Sequence, residues 1–245
     1  METGGSSRAW KILGRALLDY AAGDLDADLV VIQEDGEAWP LRAADFFRRA
    51  DEIPPAEEAA LELCRGRVLD LGAGAGCHAL ALQRRGLEVW ALDVSPAAVR
   101  VMRRRGVARA LVSDVLAPAL RGPWDTLLMM MNGLGVAGDL AGLDRFLDGA
   151  GELVAEGGQI VFDSCDLRRI AEAREQRRIA ERLRQGRYHG ETLQRISSPT
   201  LGSAIIAWLY VDPETLSRHA RRCGWETQVV FEDAAGSYAA RLVRR

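Results

Sequence analysis

The chain has 245 residues, 48% of them hydrophobic, and a formal net charge of −3 from 32 basic and 35 acidic side chains. That length can bury roughly 70–75% of the unfolded surface, enough for one large α/β domain with a small appended piece. The slightly acidic balance argues against a nucleic-acid protein, which needs a basic footprint, and no apolar run is long enough to span a bilayer.

Cys64, Cys77, Cys165 and Cys223 are scattered, with no C-x-x-C pair and no nearby histidine at zinc spacing. No metal site is expected, and the thiols fit a reducing compartment. Met1 to Ser7 lack the basic and apolar regions of a signal peptide, so a disordered start and a cytoplasmic location are the expectations. Every basic residue except Lys11 is arginine, a preference too uniform to mark a site.

Trp10, Leu13, Leu17 and Tyr20 recur at helical spacing, and Gly23 can end that helix. Leu29 to Ile32 reads as a short strand. Asp35-Gly36 then predicts a hairpin, because a type I′ turn needs positive φ at both central positions, with Glu37 to Leu41 as the return strand. Pro54-Pro55 opens a helix running to Leu63. From Arg67 onward strands and helices alternate, the pattern of a parallel sheet covered on both faces. The strands are Arg67 to Leu71, Leu87 to Leu92, Ala110 to Val112, Asp125 to Met131 and Gln159 to Phe162. A helix marked by Leu140, Leu143, Leu147 and Val154 precedes the last of these and ends at Gly157-Gly158.

The alternation stops at Arg168. Arg168 to Gln185 reads as a charged helix in which glutamates interleave with arginines, a solvated face rather than a nucleic-acid arm. Arg187 to Ser197 and Ser203 to Val211 read as an inserted strand pair. Asp212-Pro213 opens a further helix, expected at the surface with His219 on it. Two closing strands follow, Trp225 to Phe231 and Ser237 to Val243.

The chain is organised around Val68 to Leu80, where an apolar strand ends in Asp70-Leu71, glycines follow at 72, 74 and 76, and a helix starts at once. Glycine permits positive φ and close ligand approach, and the helix end presents unpaired N–H groups. A dinucleotide fold starts the same way. Asp70, however, would repel a pyrophosphate while attracting an ammonium group, and Cys77 stands where G-x-G-x-x-G needs its last glycine.

Val68 to Gly76 resembles the first motif of class I S-adenosylmethionine-dependent methyltransferases, E/D-x-G-x-G-x-G. The resemblance implies a doubly wound, mostly parallel Rossmann-like α/β sheet with a final antiparallel pair. It also implies S-adenosyl-L-methionine as cofactor and S-adenosyl-L-homocysteine as product. Residues 1–65 would be an N-terminal helix and hairpin, placed to act as a lid. Residues 66–245 would be the methyltransferase domain, with an insertion at about 168–211.

Carried over motif by motif, Asp70, Gly72, Gly74, Gly76, Cys77 and His78 belong to the cofactor loop. Asp93 would take the ribose hydroxyls with two charge-assisted bonds, and Asp114 would read the adenine. Val94 and Val115 follow these acids, and Asn132 would lie beside the transferring methyl.

Catalytic residues are poorly marked, because methyl transfer from a sulfonium needs positioning more than covalent help. Asn132, Asp163 and His189 are the catalytic candidates, the last because histidine can act as a base near neutral pH; against it, a lone histidine is more often an exposed loop residue. Tyr20, Phe47 and Tyr188 are the substrate-binding candidates. Met131-Asn132-Gly133-Leu134 lacks the Asn/Asp-Pro-Pro-Tyr/Phe pattern of enzymes that methylate amide or base nitrogens. A small-molecule acceptor is therefore the reading. The alternatives are an RNA or protein methyltransferase, a dinucleotide-dependent oxidoreductase and a non-catalytic cofactor-binding module. Oligomeric state is not readable.

Overall fold

Proline opens three of the helices, at Pro55, Pro96 and Pro213. A computed structural model describes residues 4–244. Helix α1 (Gly4–Ala21) is followed by strands β1 (Leu29–Ile32) and β2 (Ala38–Leu41), two short 3-10 turns, and α2 (Pro55–Leu63). The alternating part comprises β3 (Arg67–Leu71), α3 (Cys77–Arg84), β4 (Glu88–Asp93), α4 (Pro96–Arg105), β5 (Ala110–Val112), β6 (Trp124–Met129), α5 (Leu140–Ala150) and β7 (Val154–Cys165). It is followed by α6 (Ala173–Arg184), β8 (Glu191–Ser198), β9 (Gly202–Leu209), α7 (Pro213–Arg222), β10 (Trp225–Glu232) and β11 (Ser237–Arg244).

Seven strands form the main sheet in the order β10-β11-β7-β6-β3-β4-β5, with β3 to β7 parallel and β11 antiparallel between β7 and β10. Because side chains alternate along a strand, Leu69 and Leu127 join one core with Phe146, Leu147 and Trp225. Val68 and Leu128 join the opposite core with Leu82, Val89 and Met102. Strand order reverses between β3 and β6, which opens a crevice at their carboxyl ends. The residues after Leu71 and Met129 enter it.

Side-chain caps start the helices around this crevice. Ser95 Oγ accepts from the Ala98 N–H at 3.4 Å, and Asp212 Oδ1 accepts from Glu214 and Thr215 at 3.1 and 3.0 Å. No helix among the described residues is long and apolar enough to cross a membrane.

A second sheet has the order β2-β1-β8-β9, all antiparallel. The N-terminal hairpin and the inserted strand pair, far apart in sequence, are thus one structure, joined where Val30 faces Ser197 and Val31 faces Ile196. Helix α1 packs against β9 and α4. Gly14 allows that approach, since a Cβ there would lie 1.8 Å from Ser95 Oγ.

Several local expectations need correction. Met1 to Thr3 lie outside the described residues, but Gly4 to Ser7 belong to α1 rather than to a disordered start. Helix α5 stops at Ala150, and Val154 begins β7, where its side chain packs beside Trp124. The charged segment is not a solvated face. Arg178 and Arg182 are buried, while Arg177 and Arg184 are exposed and the apolar Leu183 is exposed with them.

Arg182 Nε donates to Glu34 at 2.9 Å and its Nη1 to Glu175 at 3.0 Å; Arg178 reaches Glu175 and Asp35, each at 2.9 Å. Against the opposing effect of burial, Arg178 and Arg174, with the Glu37 N–H, hold Asp35 well below the usual carboxylate range. Glu34 and Asp35 come from the hairpin turn, whereas Glu175 is on α6 itself, so α6 is clamped to the turn through the first two. His219 is likewise buried, with Nδ1 2.6 Å from Asp144, because α7 packs its histidine face on α5.

Candidate active site

The loop from Gly72 to Gly76 turns under hydrogen bonds that need its glycines. Gly72 and Ala73 both donate to Leu92 O at 2.9 Å, and Gly72, Gly74 and Gly76 have φ of +80°, +56° and +82°. At Gly74 a Cβ would come within 2.9 Å of Phe46, so the 3-10 turn 43–47 rests directly on the loop. Arg105 fixes that contact, donating to Phe46 O, Phe47 O and Ala75 O at 3.1, 3.0 and 2.7 Å.

Two carboxylates face the crevice. Asp70, on β3, is buried and its Oδ2 has no hydrogen-bond partner among the described residues. Burial pushes its pKa up to about 6; His78 works against this and Asp93 adds to it. Asp93, at the end of β4, accepts from Gly74 N on Oδ2 at 3.0 Å and from Ser95 N on Oδ1 at 2.8 Å. Burial raises it too to about 6, those two N–H groups opposing. His78 sits 2.6 Å from Glu57, which also accepts from Arg48 on both oxygens at 2.9 Å. Burial would lower the His78 pKa, yet Cys77 and Glu57 together hold it well above its ordinary value.

After β6 the chain takes two left-handed residues in succession, Met131 (φ 59°) and Asn132 (φ 54°). Each costs about 1–2 kcal/mol without glycine, so the surroundings must hold them. Asn132 N–H donates to both oxygens of Asp163, its Nδ2 donates to Leu209 O at 3.3 Å, and its Oδ1 accepts from Ser164 Oγ at 2.8 Å. Trp208 covers the next turn; a Cβ on Gly135 would lie 2.4 Å from its ring.

Together these elements enclose a cavity of about 240 Å³. Its floor is Asp70 to Gly74, Cys77, His78, Asp93 and Met130 to Gly133; its roof is α1 and the second sheet, through Leu13, Leu17, Val31, Ile196, Ile206 and Trp208.

Residues 68–158 match the family model of a methyltransferase domain. A crystal structure of an S-adenosylmethionine-dependent methyltransferase from Bacteroides fragilis, in complex with S-adenosyl-L-homocysteine, is 31% identical. It superposes with a TM-score of 0.83 over 96% of this chain and 95% of that one. The chain belongs to the S-adenosylmethionine-dependent methyltransferases. It is an enzyme of that family, and S-adenosylmethionine is its methyl donor.

Two further methyltransferases share less with it. The release factor glutamine methyltransferase of Rhodospirillum rubrum is 42% identical over 78 residues, 29% of this chain, and the matched part spans 24% of that protein's length. CalS10, an amino pentose methyltransferase from Micromonospora echinaspora, is 17% identical with a TM-score of 0.55, covering 85% of this chain and 99% of its own; at that identity it shows the fold alone.

In this methyltransferase the cavity brings together Asp70, Gly72, Gly74, Cys77, His78, Asp93 and Asn132. Gly76, Val94, Asp114 and Val115 do not line it; Asp114 is exposed and accepts from Leu116 N at 2.9 Å. Asp163 stands behind Asn132, and burial, with Glu57 adding to it, raises its pKa to about 7. Tyr20 and Phe47 stack on each other at 4.7 Å, and the residue that reaches the cavity is the neighbouring Phe46.

Tyr188 and His189 turn to Asp212 instead: the Tyr188 hydroxyl donates to it at 2.5 Å, and His189 Nε2 lies 3.3 Å away. His189 is buried, not in an exposed loop. Sequence reasoning missed Trp10, Gln194, Trp208 and Tyr210, all on the cavity wall. Alternation along β8 and β9 could have pointed to the last three; only the pairing of the two sheets places them over the glycine loop.

Proposed function

We propose that this enzyme transfers the methyl group to a small-molecule acceptor by in-line displacement. The observation that carries the reading is the roof: the site is a cavity of about 240 Å³ overhung by the chain's own α1 and second sheet. The basic run from Arg168 to Arg187 also gives an RNA acceptor little support. Seven of its eight arginines, Arg168, Arg169, Arg174, Arg178, Arg182, Arg184 and Arg187, are paired with carboxylates of the same chain, and the eighth, Arg177, is exposed.

The residues fit the cofactor. The unpartnered Oδ2 of Asp70 suits the ammonium of the methionine end, whose charge would offset the cost of burying an unpaired acceptor. Asp93 retains lone pairs on both oxygens for a diol. The positive φ of Gly72 and Gly74 leaves backbone without Cβ atoms facing the cavity. Asp114, with Val94 and Val115, remains the proposed adenine end. S-adenosylmethionine, when bound, supplies a methyl group already activated by its sulfonium.

What the chain adds is position, worth up to about 7–11 kcal/mol. Asn132 is the residue beside the reacting end, and because its side-chain amide is committed to Leu209 and Ser164 it acts as a fixed wall rather than as a base. Asp163 is a positioning residue acting through the Asn132 N–H.

Thermal shift with S-adenosyl-L-homocysteine tests the cofactor site. A ligand at 100 times its Kd adds about 2.7 kcal/mol, roughly 5–11 °C for this size. Asp93→Ala should weaken that ligand by at least about ten-fold and keep the fold. Tritiated methyl transfer into a fractionated cell extract tests the acceptor. Label in the small-molecule fraction is expected, and label confined to RNA or protein would overturn the reading.

A further inference from the structure

The roof of the cavity differs from its floor in one respect that bears on the acceptor. Every ionisable group with a charge near neutral pH, namely Asp70, Asp93 and His78, belongs to the floor, where the cofactor is assigned. The roof carries none. Although the chain has 32 basic residues, no arginine or lysine among the described residues lines the cavity.

Three indoles stand there instead, Trp10, Trp39 and Trp208, the first and last with ring centroids 6.0 Å apart, and Ile206 lies on the same wall; Trp39, at its rim, is partly exposed, and Arg178, which does not line the cavity, lies 5.9 Å from its ring. Indole faces are broad and rigid and favour offset stacking on another ring. A carboxylate or phosphate entering this half would lose its hydration with no cation on the cavity lining to replace it.

The wall is polar at one place. Gln194, 5% exposed, donates from Nε2 to Thr192 Oγ1 and to the Tyr210 hydroxyl, both at 3.3 Å. Thr192 fixes which way the amide points. Its own hydroxyl proton goes to Trp208 O at 2.9 Å, so Oγ1 can only accept, and the group facing it must be the NH2. Gln194 Oε1 is left over, accepting from none of the described residues. The Tyr210 oxygen already accepts from Gln194, which leaves its O–H to donate. Tyr210 follows Leu209, whose carbonyl anchors Asn132, so this pair adjoins the reacting end.

We propose that the acceptor is a flat, uncharged, largely apolar ring compound. It carries one group that both donates and accepts a hydrogen bond, a hydroxyl or an amide. Gln194 Oε1 takes the donated hydrogen and the Tyr210 O–H donates to the acceptor atom, while the indoles hold the ring. The inference rests on the small-molecule methyltransferase reading above and refines it. Leaving Gln194 and Tyr210 unmatched inside an apolar wall is unfavourable, so a ring lacking the polar group is discriminated against.

The test uses the full chain saturated with S-adenosyl-L-homocysteine, titrated with three probes of similar size: 2-naphthol, naphthalene-2-carboxylate and decahydro-2-naphthol. Binding of 2-naphthol about ten-fold or more tighter than either other probe is expected. Gln194→Leu, checked for an unchanged thermal shift with S-adenosyl-L-homocysteine, should reduce 2-naphthol affinity about ten-fold. Equal binding of the carboxylate, equal binding of the saturated ring, or no loss in Gln194→Leu would each overturn the proposal. If S-adenosyl-L-homocysteine binds and 2-naphthol does not, the acceptor inference alone fails. If neither binds, the cofactor assignment fails and takes this inference with it.

Discussion

The backbone N–H of Asn132 donates to both carboxylate oxygens of Asp163, at 3.1 and 3.0 Å, from a left-handed conformation that no glycine relieves. A residue at the tip of β6 is thereby held by one near the end of β7, and the wall of the cavity is fixed by a side chain that does not line it.

That arrangement makes Asp163 sensitive to pH. It ionises near 3.8 when solvated and at about 7 in the fold, so between these values the folded chain holds a proton that the unfolded chain has lost. Stability contributed by this site therefore falls as pH rises from about 4 to 7, and ionised Asp163 is a liability above 7. Asp163→Asn should gain in Tm on the wild type across that interval and level off above it. A Tm difference that stays constant from pH 4 to 8 would contradict the assignment.

Asp70 and Asp93 titrate at about 6 in the fold, each raised by burial. An ammonium and a diol favour their ionised forms, so cofactor binding should release protons at or below pH 6 and affinity should rise with pH up to about that value. Calorimetry of S-adenosyl-L-homocysteine binding in buffers of different ionisation enthalpy measures the release. Asp70→Asn should lower the proton count and flatten the slope.

Gly74→Ala meets two obstacles, a φ of +56° and the Phe46 ring 2.9 Å from the new Cβ. The conformational part costs about 1–2 kcal/mol, and the overlap adds to it. Denaturant titration should show that adding Phe46→Ala recovers the overlap part and leaves the conformational part. Full recovery would mean that the backbone carries no strain there.

Arg182 is 1% exposed and serves Glu34, Glu175 and the His189 carbonyl together. Arg182→Ala should destabilise the protein by about 3–5 kcal/mol, because buried Glu175 loses one of its two arginine partners and the His189 carbonyl loses its donor. Arg184→Ala, on the exposed side of α6, should stay within about 0.5 kcal/mol. Urea unfolding separates the two. Comparable losses would show that the clamp between α6 and the hairpin is not the stabilising part.

What the sequence determined by itself is the glycine-loop half of the molecule. An apolar run, glycines at 72, 74 and 76, and acids at 70 and 93 act over one strand–turn–helix unit and its neighbour, so the constraints are local and readable. The family followed from them. Tertiary structure decided the other half. The acids that bury Arg182 include Glu34, 148 residues away, and the roof exists only because Val31 pairs with Ile196. A charged helix looks solvated when its partners lie that far off, as Arg168 to Gln185 did. Tyr188 and His189 read as pocket residues until Asp212, itself a helix cap, claimed both. Phe46 and Phe47 cannot be told apart by type or spacing; the close approach at Gly74 selects Phe46 for the cavity, while the Arg105 guanidinium lies over the Phe47 ring. Local patterning settles how the donor's loop is built, whereas the surface offered to the acceptor comes from long-range strand pairing that no window of sequence contains.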